Sequence, residues 1–126
     1  MSGGGNVIAV KSKAFAVRIV KLCHYLGERG KDYGMAGQLL RSGTGIGANV
    51  REAARGQSKK DFIYKMSLAL KECAATEYWL ELLHDTEYLD DRQFHSINDD
   101  CQELLCILVA IVKTAREKQN TGKIQS

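Results

Sequence analysis

Glu81-Leu82-Leu83-His84 sets a carboxylate and an imidazole one helical turn apart, the Glu-x-x-His arrangement that di-iron bundles use. Such sites need two copies of that motif plus a glutamate from each remaining helix. The chain has one copy. His24 and His95 have no matching partners, and no Ser/His/Asp or Cys/His arrangement has a motif context. The cysteines Cys23, Cys73, Cys101 and Cys106 lack Cys-x-x-Cys spacing. The first three lie on apolar stripes, where a thiol behaves as a small core hydrophobe. The expectation is a protein without enzyme activity, bound metal or cofactor.

Gly43-x-Gly45-x-Gly47 resembles a phosphate-binding loop only in its glycine content. A P-loop needs Gly-x-x-x-x-Gly-Lys-Ser/Thr, and a dinucleotide turn needs Gly-x-Gly-x-x-Gly between a strand and a helix. Here no lysine follows and no strand-like run precedes. At helical period, Ala36, Leu40, Gly43, Gly47, Val50 and Ala54 form one stripe, and Met35, Leu39, Ser42, Ile46, Asn49 and Ala53 form a second. Each helical glycine costs about 1 kcal/mol relative to alanine. A helix carrying three must regain that by packing its backbone closely against a neighbour. The same segment carries Arg41, Ser42, Asn49, Glu52 and Arg55, and the next helix supplies Glu72 and Glu77 near Trp79. Buried ions have to be paired, so Arg41, Ser42, Asn49, Glu52, Glu72 and Glu77 read as a structural polar network between these helices.

The elements that must position these groups are helical. The 126 residues contain no proline, and the glycines fall in the Met1–Gly5 tip, in the segment above or at boundaries. A first helix is expected from about Lys13 to Arg29 on the stripe Phe15, Ile19, Leu22 and Leu26, with Gly30 as its stop. A second covers about Tyr33 to Arg55. The third opens on Ser58-Lys59-Lys60-Asp61, a variant capping box, and carries Phe62, Met66, Ala69, Cys73, Thr76, Leu80 and Leu83. The fourth opens on Asp90-Asp91-Arg92-Gln93, flanked by Leu89 and Phe94 as a hydrophobic staple, and continues through Ile97, Cys101, Leu104, Leu108, Ile111 and Ala115. Four amphipathic helices with short links imply an all-α, antiparallel up-down-up-down four-helix bundle over residues 11–118, between a flexible segment 1–10 and a flexible tail 119–126. No apolar run reaches a membrane span and no signal peptide opens the chain, so the expected location is cytoplasmic, with no membrane contact.

The net charge of +3 hides a segregation: +9 over residues 1–71, −9 over 72–103 and +3 over 104–126. An antiparallel bundle would gather Lys13, Arg18, Arg51, Arg55, Lys59, Lys60, Lys65, Lys113 and Arg116 at one end, and Glu77 to Glu103 at the other. Helix-dipole compensation accounts for acids opening the fourth helix. It gives the wrong sign for Lys59 and Lys60 opening the third and for Glu81 and Asp85 closing it. A focused basic end attracts polyanions, so those nine cations are the candidate contacts to nucleic acid. Tyr64, Tyr78 and Trp79 are interface-type residues and suit a rival role as a protein-interaction scaffold.

Gln38-Leu-Leu-Arg-Ser42, Gly45-Ile46, Asn49, Glu52, Arg55, Ser58, Asp61-Phe62, Glu72 and Glu77-Tyr-Trp-Leu80 closely resemble the bacterial four-helix-bundle family encoded in intervening sequences of large-subunit ribosomal RNA genes. The similarity runs from about Phe15 to Arg116, with Gly45 standing where many members have serine. The resemblance implies a homo-oligomer, a pentamer around a central axis. It also implies kinship with the accessory variability protein of diversity-generating retroelements, and hence RNA or DNA and a reverse transcriptase as partners.

Overall fold

Apolar side chains alternating at four- and three-residue spacing wind a stripe along one face of each segment, and burying those stripes against one another builds the molecule. The computed structural model describes residues 3–29 and 34–125. Its elements are α1 (Gly3–Glu28), α2 (Met35–Ala54), α3 (Lys59–Asp85) and α4 (Asp91–Gln125), with no strand among the described residues. Gly30 and Tyr33, expected to end and begin helices, lie outside them.

Pairwise contacts fix the direction of every helix. Gly43 and Gly47 of α2 pack on Ile19 and Ser12 of α1, so numbering rises on one as it falls on the other. Ser42 meets Thr76 while Glu52 meets Lys65 across α2 and α3. Cys73 meets Cys101 and His84 meets Asp91 across α3 and α4. Lys11 meets Glu103 and Arg18 meets Asp100 across α1 and α4. Among the described residues, helix backbones approach only between consecutive helices and between α4 and α1. This is the up-down-up-down bundle.

The core runs the length of the bundle and includes Phe15, Ile19, Leu39, Ile46, Met66, Leu80, Leu104 and Leu108. The two stripes on α2 share its burial: Ala36, Leu39, Ser42, Gly43, Ile46, Val50 and Ala53 face inward, while Leu40 and Ala54 are exposed. On α3 the first inward residue is Ile63, with Phe62 only half-buried. Side-chain caps open both later helices. Ser58 Oγ accepts from Asp61 N at 3.0 Å at the start of α3. At α4 the box is reciprocal: Gln93 N donates to Asp90 Oδ1 at 2.7 Å, and Asp90 N donates to Gln93 Oε1 at 2.9 Å.

Both outer helices run past their expected limits. Residues 3–10, expected to lie loose outside the bundle, form the opening turns of α1, because Ile8 and Ser12 extend the stripe of Phe15 and Ile19 backward at the same spacing and are buried. Residues 119–125 continue α4, where a run of good helix formers from Arg116 to Gln119 meets no breaker strong enough to stop it.

Among the described residues, two helical glycines have no packing reason, Gly27 near the end of α1 and Gly37 in the first turn of α2. A Cβ at Gly37 would meet nothing within 4 Å. Gly37→Ala is expected to stabilise the protein by about 1 kcal/mol, since helix propensity is the only quantity changed. Thermal denaturation followed by circular dichroism checks it, with a rise in Tm of about 4 °C expected.

Candidate nucleic-acid interface

The end of α2, the start of α3 and the later turns of α4 share one end of the bundle because their directions alternate. Arg51 lies in the last turn of α2 and Arg55, four residues on, caps its C-terminus. They line, with Lys13 from α1, a groove of about 420 Å³ whose walls include Ala9, Ala16, Gly47 and Ala48. Small residues on both helices create that depression. Gly47 is within ordinary contact distance of the α1 backbone, a Cβ there falling 3.4 Å from Ser12 O. Lys59 and Lys60 open α3 and are exposed. Lys65 donates to Glu52 Oε1 at 3.4 Å, and Arg116 donates to Ser67 Oγ at 3.3 Å. Among the described residues, Lys13, Arg51, Arg55, Lys59, Lys60 and Lys113 have no carboxylate within ion-pair distance.

Arg18 does not join them. Its guanidinium donates to Asp100 Oδ2 at 2.6 Å, to Ser96 O at 3.1 Å and to Ser96 Oγ at 2.9 Å. It sits well along α1 and seals the α1–α4 seam, and a cation so engaged offers little to a phosphate. Asp100 and Glu103, expected at the acidic end, instead neutralise Arg18 and Lys11. The two charge blocks therefore meet along this seam. The signal was present: Lys11, Arg18 and Tyr25 recur at seven-residue spacing, and all three face polar groups of α4.

The expected polar network resolves into separate contacts. Thr76 Oγ1 donates within a buried pair with Ser42 Oγ at 3.0 Å and also reaches Glu72 O at 2.8 Å; two hydroxyl protons serve these acceptors and Leu39 O in turn. Asn49 donates back to Gly45 O of its own helix at 2.9 Å. Glu72 packs over Gly45, where a Cβ would fall 2.6 Å from its Oε2. A serine at that position would require this flexible carboxylate to move. Glu77 accepts from Gln102 across α3 and α4. Among the described residues Arg41 reaches only Gln38, on its own exposed helix face, and takes no part.

At the other end, Glu81 is exposed and does not act with His84, whose imidazole lies face to face on Phe94 at 4.2 Å. His84 Nε2 is 2.7 Å from Asp91 Oδ1. The hydrogen bond from His84, reinforced by its charge when protonated, holds the Asp91 carboxyl below its ordinary value of 3.8. A carboxylate depressed in this way stabilises the fold above its ordinary value, and the contribution disappears as pH falls through the lower folded value. Asp91→Asn is therefore expected to reduce stability at pH 5 and to matter progressively less as pH falls below 3.8; urea melts across that range check it.

Among the described residues no three His, Cys, Asp or Glu side chains converge as metal ligands. Cys73 and Cys101 lie with sulfurs 4.0 Å apart in the core. The hydrogen bond between them, with burial second, pushes the Cys101 thiol far above the ordinary thiol range. It stays protonated and packs as a hydrophobe. No helix among the described residues is long and apolar enough to cross a membrane.

The family model described as 23S rRNA-intervening sequence protein matches residues 6–110. A crystal structure of a protein with unknown function from the S23 ribosomal protein family of Bacteroides thetaiotaomicron VPI-5482 is 52% identical. The match covers 87% of this chain and 98% of that one, with a TM-score of 0.85. No curated protein matches.

Proposed function

Because the chain belongs to the family of 23S rRNA-intervening sequence proteins, we propose that it is a non-enzymatic, oligomeric bundle that binds structured RNA, or an RNA–protein complex, through its basic end. The observation that carries this reading is the set of cations without counter-ions at that end: Lys13, Arg51, Arg55, Lys59, Lys60 and Lys113. Uncompensated cations gathered in one place repel one another unless an anion joins them. With no aromatic side chain in the groove, the contacts would be to phosphates, with little reading of bases. A homo-oligomer, pentameric as the family resemblance implies, repeats the basic end and gains avidity. Kinship with the accessory variability protein, a reverse transcriptase as partner and a cytoplasmic location belong to the same proposal.

Filter binding of RNA across a salt series tests it. Affinity is expected to fall steeply with salt, and reversing Arg55, Lys59 and Lys60 together to glutamate is expected to lower it by about a hundredfold or more at low salt, with a shallower salt slope. No binding at low salt would end the proposal. A second reading has its own observation: Tyr64 and Tyr78 on the outer side of α3 are 58% and 57% exposed. Such residues suit a protein-interaction scaffold. A pull-down after nuclease treatment separates the two, since only the scaffold would keep its partner.

A further inference from the structure

We propose that the groove between α1 and α2 is the seat of a single strand, gripping its phosphodiester backbone between Lys13 on one wall and Arg51 and Arg55 on the other. This rests on the nucleic-acid reading and specifies that an unpaired segment of the structured RNA is what is bound, and where.

Three features of the groove converge on that occupant. The first is spacing. Arg51 lies in the last turn of α2 and Arg55, four residues on, is the residue that caps it, about 6 Å further along the axis, which is the interval between adjacent phosphates of an extended strand. Each guanidinium presents a planar fork suited to two phosphate oxygens. The second is charge. All three cations are exposed and have no carboxylate partner among the described residues, while Glu52, the acid on the rim, is neutralised by Lys65. The third is relief. Ala9, Ala16, Gly47 and Ala48 keep the floor low, so a thin sugar-phosphate chain can descend between the helices. At about 420 Å³ the space is of small-molecule size, and a duplex is too thick to enter it. An acidic peptide would need apolar anchors, and this floor of methyl groups and backbone offers no pocket for them.

Fluorescence anisotropy of the full chain with a short 5′-labelled oligouridylate tests the proposal. Ala48→Leu fills the groove from an exposed helix position without altering charge. It is expected to weaken binding about tenfold, the equivalent of one good contact, and to leave the salt slope unchanged. Ala9→Leu closes the groove from the opposite wall and is expected to do the same; circular dichroism melts identify any variant that fails to fold. Arg51→Glu with Arg55→Glu should reduce the slope by roughly 0.7 for each phosphate no longer gripped. Lys59→Glu with Lys60→Glu, outside the groove, should weaken binding without abolishing the preference for single strand over blunt duplex.

Filled-groove variants that bind like the wild type, while the Lys59/Lys60 variant does not, would remove the groove and leave the basic-end reading intact. Tighter binding of duplex than of single strand would overturn the groove in the same way, as would displacement of the oligonucleotide by polyglutamate of equal length at equal concentration. Failure of the wild type to bind any nucleic acid at low salt would instead bring down the basic-end reading beneath it.

Discussion

Gly43→Val is expected to destabilise the protein by about 3 kcal/mol or more, a far larger effect than substitution at any other glycine of α2. A Cβ at this position would lie 2.8 Å from both Cγ1 and Cγ2 of Ile19 and 3.2 Å from its Cβ. Ile19 is fully buried and branched at Cβ, so in a helix it has essentially one rotamer and nowhere to swing. The helices would have to separate along a seam that also contains the Gly47–Ser12 approach. Even Gly43→Ala should cost about 1 kcal/mol, because an overpacking cost of roughly 1–3 kcal/mol exceeds the helix-propensity gain of about 1 kcal/mol. The control is a double-mutant cycle with Ile19→Ala. That change alone opens a cavity and costs about 2–5 kcal/mol, but it should relieve the Gly43→Ala clash, giving a coupling of about 1–3 kcal/mol. Additivity within roughly 0.5 kcal/mol would mean that the two residues do not touch.

The contrast with Gly37 shows what the sequence could and could not say. Gly43, Gly45 and Gly47 declared a close approach of helices by their number and period: a Cβ would meet a neighbour within 3.0 Å at Gly43 and Gly45, and at ordinary contact distance at Gly47. Gly37 lies on the same helix in open space. Composition does not distinguish a glycine that admits a neighbour from one that merely lowers propensity; that depends on which way the helix is turned. The same rotation explains why α2 buries residues from both of its candidate stripes. Heptad spacing defined a face to within about a residue's width and no better.

Charge was legible in its blocks and less so in its pairings. The antiparallel order followed from short links, and with it the grouping of α2, α3 and α4 cations. Arg18 departs from that grouping because distance along the sequence does not give the level at which two helices meet. The register between α1 and α4 depends on where α1 begins, and α1 begins about ten residues before the expected start. With that correction Arg18 slides to the level of Ser96 and Asp100, and an expected phosphate contact becomes the clasp of the least intimate seam in the bundle. Glu77 and Gln102 illustrate the opposite case: one partner was visible as an acid near the core stripe, but its acceptor role depends on a residue with no periodic signature.

The opening turns of α1 decide that register, and Ile8 is where they can be tested. Ile8 is fully buried in the core, whereas Val10, two residues on, is 69% exposed. Ile8→Ala is expected to cost about 2–5 kcal/mol, a large share of the roughly 5–15 kcal/mol typical for a whole domain. Val10→Ala should stay within about 0.5 kcal/mol. Removal of residues 1–10 should cost at least as much as Ile8→Ala, since it takes the same side chain together with the helical turns that carry it. Urea melts on the three variants make the comparison. If Ile8→Ala and Val10→Ala were equally mild, the first turns would not be docked, α1 would start near Lys13, and the pairing of Lys11 with Glu103 would go with them. The basic end would then recover a cation and the α1–α4 seam would keep only one of its two ion pairs, so a single stability measurement at Ile8 constrains the electrostatics of both.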